Sequence, residues 1–191
     1  MMSIEVIYDY LKENLRENRF MHTLGVVSTS KKLASINNVD VARAELAALL
    51  HDISKNISKE DMLKIMKKND IKLTLSEKET PELWHSIVGP IQAKEKFNIN
   101  DEEILGAIRW HTTGKENMTT LEKIIYIADM IEPSRTFDGV NEIREEVLKG
   151  LDKGVLMGMN HTIAFLLSKN GMIDENTVKA RNYLLCEISK A

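Results

Sequence analysis

The sequence predicts an all-α protein, a single compact bundle of roughly eight or nine helices. Apolar residues recur mainly at helical spacing, and the 191 residues include only three prolines and nine glycines. The one stretch of alternating polarity, residues 71–75, is too isolated to form a sheet. A chain of this length buries a substantial core within one domain, so a helical bundle is the simplest architecture.

Capping patterns indicate where several helices begin. A side-chain oxygen before the first turn can accept a hydrogen bond from a free backbone N–H group, and a carboxylate three residues later can complete a capping box. Three places have such patterns: Thr80 followed by Pro81, Asn100 with Glu103, and Thr119 with Glu122.

Two helix ends can also be predicted. Gly114 suits the end of a helix that stops after His111. Pro133 lacks a backbone N–H group and disfavours helical geometry in the residue before it, so the preceding helix is expected to end near Glu132. Asp129 is therefore expected in a last helical turn.

The composition excludes several classes of protein. An apolar fraction of 43% and a charged fraction of 29% are ordinary for a globular protein. The net charge is −3 without a long basic run, which gives no support for nucleic-acid binding. No run of eighteen apolar residues is present, so no membrane span is expected. The lone Cys186 cannot form an intrachain disulfide, and residues 1–15 lack the layout of a signal peptide, so a cytoplasmic location is predicted.

Ionisable residues stand where apolar ones belong in two predicted helices. Residues 44–53 are apolar on nearly every side but contain the pair His51-Asp52. Asp129 follows Ile125 by one helical turn on a buried face. Buried carboxylates require a partner. A solvent-facing pair remains the simpler interpretation of His51-Asp52, as does a buried salt bridge for Asp129.

Four of the five histidines lie at inward positions. His22, His85 and His111 share helical faces with apolar residues, as His51 does. Each alone is also compatible with a hydrogen-bonded core histidine. Together with the two aspartates they offer the nitrogen and oxygen ligands that suit iron, manganese or zinc. His161 has no acidic neighbour and is interpreted as structural.

The order His22, His51-Asp52, Asp129 resembles the metal signature of the HD superfamily of phosphohydrolases. His85 and His111 fall between these residues, as in members with two additional histidines. The chain is most similar to the YqeK-type symmetrical bis(5′-nucleosyl)-tetraphosphatases. The matching segments are residues 19–26, 51–55, 81–85, 107–114, 121–129 and 132–135.

The resemblance spans nearly the whole chain. It implies one HD-type domain over residues 1–191, with residues 140–191 as a C-terminal helical extension packed on it. In the family, the region that matches Met172–Thr177 helps to enclose the nucleotide and reads as an apolar pair followed by proline. Asp174 and Glu175 depart from that pattern.

The resemblance also implies the metal and its ligands. His22, His51, Asp52 and Asp129 are expected to hold one divalent metal, with iron favoured and manganese, cobalt or nickel also compatible. A second ion could bind His85 and His111, with Asp52 as the bridge. With one ion, these two histidines would contact phosphate instead.

Catalytic roles fall to Asp52 and Lys55 in this interpretation. Substrate contacts are expected from Asp52, Ile53, Ser54, Lys55, His85, His111, Thr112 and Arg135. Lys55 and Arg135 would offset phosphate charge, although both could equally be solvated surface charges.

The implied reaction converts diadenosine tetraphosphate and water into two ADP. The alternatives are a nucleotidase, a nucleoside triphosphohydrolase, or a module that senses a nucleotide through a metal without turnover. The expected partners are the nucleotide substrate and the ADP product, without nucleic acid or membrane. A homodimer is left open.

Overall fold

The structure is a computed structural model that describes residues 3–190. Within that range every regular element is helical, which confirms the predicted fold class. The α-helices are α1 Ile4–Asn14, α2 Glu17–Ile36, α3 Val41–Leu50, α4 Lys59–Lys68, α5 Leu75–Glu79, α6 Trp84–Phe97, α7 Glu102–Trp110, α8 Thr120–Ile131, α9 Val140–Lys149, α10 Leu151–Ser168 and α11 Glu175–Lys190.

The predicted number of eight or nine helices is too low for the part of the chain described. Eleven α-helices and a 3₁₀ helix at Pro81–Leu83 are present there. The helix α5 has only 5 residues, too few for an apolar period to be visible. Helices α9 and α10 are separated by Gly150 alone, so their sequences run together without a clear boundary.

The core lies where α2, α3, α7 and α8 pack against one another. Leu50, Ile108 and Ile125 are fully buried there. Burying each such side chain contributes about 1.5–3 kcal/mol. Because α3, α7 and α8 are held in this core, their C-terminal ends are fixed relative to α2.

The observed caps confirm one predicted helix start and shift another. The Thr119–Glu122 capping box is present at the start of α8. The prediction of Asn100 as the cap of α7 is wrong, because Asp101 accepts the hydrogen bonds from the first-turn backbone. A carboxylate one residue later is the better acceptor, and it is held by the guanidinium group of Arg43.

The predicted helix ends agree with the structure. Helix α7 ends at Trp110, and Gly114 adopts a φ of +69°, in the left-handed region that favours glycine. Helix α8 ends at Ile131, two residues before Pro133, with Asp129 in its last turn.

The last three helices cover one side of the core. Helix α10 packs against α8, α9 and α11. That residues 140–191 form an extension of the domain stays a prediction. No helix in the range 3–190 is long and apolar enough to cross a membrane.

Candidate metal centre and phosphate site

The predicted ligands meet at one buried point, although they come from five different places in the chain. His22 lies in α2, the pair His51-Asp52 directly follows α3, His111 follows α7, and Asp129 ends α8. His85 comes from the first turn of α6 and completes the cluster. The side chains of the four histidines and of Asp52 are buried.

Backbone carbonyl groups orient three of the histidine rings. A carbonyl oxygen can only accept, so the Nδ1 atom facing it carries the proton and the Nε2 atom keeps a free lone pair. Each Nδ1 donates to the carbonyl three residues earlier: His51 to Ala48 at 2.7 Å, His85 to Glu82 at 2.7 Å, and His111 to Ile108 at 2.8 Å.

A buried carboxylate orients the fourth ring. Glu132 Oε1 lies 3.0 Å from His22 Nδ1, and this glutamate is only 1% exposed. The backbone N–H of Ser134 donates to Glu132 Oε2 at 2.8 Å, and the Ser134 hydroxyl donates to Oε1. Burial would raise the pKa of Glu132, but the hydrogen bonds from Ser134 and His22 lower it. A carboxylate in this position fixes the tautomer of His22 and makes its Nε2 a better ligand.

Asp52 lies at the middle of the cluster. Arg19 Nη1 donates to Asp52 Oδ2 at 2.8 Å. Burial alone would raise the pKa of Asp52, but attraction to His51 and the close ring nitrogens of the other histidines keep it well below the ordinary value. The carboxylate therefore stays ionised. Its oxygens lie near Nε2 atoms of all four histidines: His85 at 3.2 Å, His51 at 3.5 Å, His111 at 3.7 Å and His22 at 3.9 Å.

Asp129 lies on the other side of His22. Its Oδ1 is 3.0 Å from His22 Nε2 and 2.6 Å from Arg135 Nη2. Arg135 Nε also donates to the Asp129 carbonyl oxygen at 2.9 Å. Burial would raise the pKa of Asp129, but its contact with His22 and the positive charge of Arg135 lower it strongly. Arg135 is thus directed at the centre rather than at solvent.

The donor set fits a divalent metal ion. Within the described residues, His22 Nε2, His51 Nε2 and Asp52 Oδ1 are buried and lack a hydrogen bond of good geometry. Ligand atoms of His22, His51 and Asp129 lie within 4.8 Å of one another, as do those of His51, Asp52 and His111. Buried lone pairs without donors are costly unless a cation accepts them. Imidazole nitrogen and carboxylate oxygen suit iron, manganese and similar ions.

A second group of polar atoms lies beside this cluster. Lys55 Nζ is 3.2 Å from His85 Nε2, and burial lowers the pKa of Lys55. Burial also lowers the pKa of His85 to about 4. The His85 ring is therefore neutral near pH 7. Its Nε2 atom lies 3.1 Å from His111 Nε2.

The remaining predicted substrate residues lie next to Lys55 or His111. Ile53 and Ser54 are buried in the turn after α3, and Ser54 Oγ has no hydrogen-bond partner in residues 3–190. Thr112 Oγ1 donates to Ser86 Oγ at 3.1 Å, so its hydroxyl is engaged within the protein.

A cavity of about 430 Å³ opens at the cluster. His111, Thr112, Asp129 and Arg135 line one part of it, and aromatic residues of α10 line another. His161 belongs to this second part and to neither group of metal-ligand atoms. A larger groove, of about 1080 Å³ beside α6 and α7, contains none of the predicted site residues.

The Met172–Thr177 segment leads into α11. Asp174 is buried, accepts a hydrogen bond from Ser76 Oγ at 2.6 Å, and caps α11 through the backbone N–H of Asn176 at 2.9 Å. The carboxylate that departs from the family pattern therefore has a structural role in the described chain.

Two charged residues of the site were not predicted individually. Arg19 and Glu132 lie in the segments that carry the family resemblance, but the sequence predicted no role for either residue. Arg19 acts on a partner 33 residues away, and Glu132 on one 110 residues away, so local spacing cannot reveal either contact. The one feature of the sequence that could have indicated Glu132 is its position, an acidic residue directly after an apolar helix.

Known proteins are similar in sequence to most of this chain. The model of the HD domain family matches residues 19–134. A Bacillus subtilis protein described as a symmetrical bis(5′-nucleosyl)-tetraphosphatase is 39% identical over 175 residues, which cover 92% of this chain and 94% of that protein. A Staphylococcus aureus protein with the same description is 38% identical over 184 residues, covering 95% and 94% of the two chains.

A solved structure is also similar. It is a crystal structure from Clostridium acetobutylicum, described as a predicted HD superfamily hydrolase involved in NAD metabolism. It is 43% identical, covers 98% of this chain and 99% of its own, and superposes with a TM-score of 0.94.

Proposed function

The chain belongs to the HD domain family, and we propose that it is a metal-dependent hydrolase that cleaves dinucleoside tetraphosphates symmetrically. Diadenosine tetraphosphate and water would yield two ADP. The single observation that carries the proposal is the histidine–aspartate cluster at the mouth of a cavity, in which His22 Nε2, His51 Nε2 and Asp52 Oδ1 have no hydrogen-bond partner among residues 3–190.

We assign the metal to His22, His51, Asp52 and Asp129. A bound divalent ion would supply an activated water molecule and would withdraw charge from the attacked phosphate. Iron is the ion we favour, and manganese, cobalt and nickel also suit this ligand set. The contact between His22 and Glu132 supports the assignment, because it directs the Nε2 lone pair of His22 inwards.

The phosphate chain would lie between Lys55 and Arg135. Both cations are within 4 Å of a proposed metal ligand, Lys55 of Asp52 at 3.9 Å and Arg135 of Asp129 at 2.6 Å. They are therefore placed to stabilise charge that builds up on phosphate oxygens. Asp52 acts by holding the metal and Lys55 by holding the phosphate.

His85 and His111 have two alternative roles. With one metal they would contact phosphate directly, and with two metals they would hold the second ion, bridged by Asp52. Their 3.1 Å Nε2–Nε2 contact and the nearby Asp52 Oδ1 are compatible with both. Thr112, Ile53 and Ser54 would shape the phosphate site around them.

The test is metal analysis of the purified protein followed by product identification from a nucleotide panel. The panel contains diadenosine tetraphosphate, nucleoside mono- and triphosphates and NAD, the last because the similar crystal structure is described as belonging to NAD metabolism. ADP as the sole product from diadenosine tetraphosphate supports the proposal. Turnover of other members alone would indicate a nucleotidase, a triphosphohydrolase or an NAD-cleaving enzyme.

An Asp129→Ala variant connects the metal to the reaction. Loss of Asp129 removes one proposed ligand and the partner of Arg135, so metal content and activity are expected to fall together while the circular dichroism spectrum stays helical. A variant that retains its metal would contradict the ligand assignment. Tight nucleotide binding without any product, with each divalent metal in turn, would favour the sensing module instead.

A further inference from the structure

Three aromatic side chains line the cavity that opens at the proposed metal centre. Phe137 follows α8, and His161 and Phe165 lie one turn apart on α10. We call these residues the aromatic platform. Neither the proposed metal site nor the proposed phosphate site uses them.

The platform combines a packed pair with an exposed ring. The ring centroids of Phe137 and His161 are 4.5 Å apart with an interplanar angle of 34°. Phe165 is 54% exposed although it lines the cavity. An exposed phenylalanine beside a half-buried aromatic pair leaves apolar ring faces open to a flat ligand.

The same cavity joins the platform to the phosphate site. Asp129 and Arg135 line it together with the platform residues. Its volume of about 430 Å³ lies within the range of pockets that take small ligands, roughly 300–1,000 Å³. A ligand that is anionic at one end and aromatic at the other would match both ends.

The cavity lining also carries hydroxyl groups. Tyr126 and Thr162 line the cavity, and Tyr126 Oη is buried without a hydrogen bond of good geometry in the described chain. Burial raises the pKa of Tyr126 to about 12, so the hydroxyl group stays protonated. A buried hydroxyl beside aromatic rings is a feature of sites that accept a polar edge as well as a flat face.

We propose that the aromatic platform stacks one nucleobase of the dinucleoside tetraphosphate, with the phosphates of that nucleotide extending to Arg135 and the metal centre. This inference rests on the proposed function and adds the place where one nucleoside is held. Stacking on aromatic rings tolerates every base, so the platform supplies affinity rather than strong base selectivity. Asp174, in the segment that matches the nucleotide-enclosing region of the family, is already engaged by Ser76 and by the start of α11.

Binding of ADP and of pyrophosphate to the metal-loaded protein separates base from phosphate contacts. His161→Leu removes the aromatic ring and His161→Phe retains one, so the two form a matched pair. Phe165→Ala is a second test that is safe for folding because this residue is exposed, and Leu167→Ala on the same helix, outside the cavity, is the control.

We expect His161→Leu and Phe165→Ala to weaken ADP binding about tenfold. Pyrophosphate binding should stay unchanged, and His161→Phe and Leu167→Ala should resemble the unmodified protein. The KM for diadenosine tetraphosphate should rise more than kcat falls. Unchanged ADP binding in both loss variants, in a protein that still yields ADP from diadenosine tetraphosphate, would overturn the platform and leave the proposed function intact. Absence of ADP binding and of that activity in the unmodified protein would overturn both.

Discussion

At the scale of single residues, the centre depends on how each histidine ring is held. Three rings are fixed by backbone carbonyls three residues earlier in the chain, but His22 depends on the side chain of Glu132. Gly25 makes this contact sterically feasible, because a Cβ atom there would lie 2.5 Å from Glu132 Oε2. A glycine in α2 and a glutamate after α8 thus act together to orient one proposed ligand.

Replacing Glu132 with Gln should weaken metal retention. Glutamine keeps the shape of the side chain but removes the charge that orients and strengthens His22 as a ligand, so affinity is expected to fall by about 10- to 100-fold. Metal content after dialysis against a graded chelator series measures this loss. Glu142→Gln, an exposed position on α9, is the control. Equal metal retention in the two variants would show that Glu132 has no part in holding the metal.

The residues of the centre differ in how far the sequence could predict them. His22, His51, Asp52, His85 and Asp129 could be predicted because each interrupts an apolar pattern at an inward position or its helix end. Arg19, Glu132 and the residues of the aromatic platform could not be predicted, because nothing in the neighbouring sequence distinguishes them. Their roles arise only from contacts made when distant helices pack.

At the scale of helices, close packing between α9 and α10 holds the C-terminal region together. A Cβ atom on Gly154 would lie 2.3 Å from Val147 Cγ2 and 2.6 Å from Val147 Cα. Backbone atoms cannot move aside as a flexible side chain can. Gly154 therefore sets the distance between the two helices, and α10 in turn carries His161 and Phe165.

Gly154→Ala should destabilise the fold. The added methyl group forces α9 and α10 apart, and overpacking of this kind costs about 1–3 kcal/mol in the free energy of unfolding. Gly150→Ala is a matched control, because nothing lies within 4 Å of a Cβ atom there and its φ of −176° suits any residue. Urea denaturation of both variants gives the comparison. Equal stabilities would mean that the helices adjust without strain.

Helix positions were more predictable than helix number. The Thr119–Glu122 box and the end of α8 before Pro133 were predicted because capping and proline geometry act over a few residues. The cap of α7 was predicted one residue early, because the Asp101 carboxylate also accepts hydrogen bonds from Arg43 on α3. Such a contact between helices is invisible to a local pattern.

At the scale of the whole molecule, the charge of the centre is local rather than global. The net charge is −3, yet Arg19 and Lys55 lie within 4 Å of Asp52, and Arg135 lies within 4 Å of Asp129. A polyphosphate would therefore be attracted by these few cations and by the metal, not by the overall field of the protein. The helical bundle holds these opposite charges together at the partly open cavity.

Acid should destabilise the metal-free protein below pH 6.5. The unfolded chain takes up a proton at His85 near its ordinary pKa of 6.5, whereas burial lowers the folded-state pKa to about 4. The unfolded state therefore binds more protons between these values, and stability falls as the pH drops from 6.5 to 4. The lowered pKa values of Asp52 and Asp129 extend the loss to lower pH.

His85→Gln removes the contribution of this histidine. The variant should lose less stability than the unmodified protein between pH 6.5 and 4, by at most about 3 kcal/mol. Urea denaturation in the presence of a chelator at a series of pH values measures the two slopes. Identical slopes would show that His85 is not held neutral in the folded protein.

The position of cleavage tests the central claim most directly. If the centre receives one nucleoside diphosphate unit, the β-phosphate lies at the metal and the bond between the second and third phosphates breaks. Diadenosine tetraphosphate hydrolysed in oxygen-18 water should then yield ADP alone, with one labelled and one unlabelled molecule per turnover and the label on the β-phosphate. Formation of AMP and ATP would contradict symmetrical cleavage, even if the metal site itself were retained.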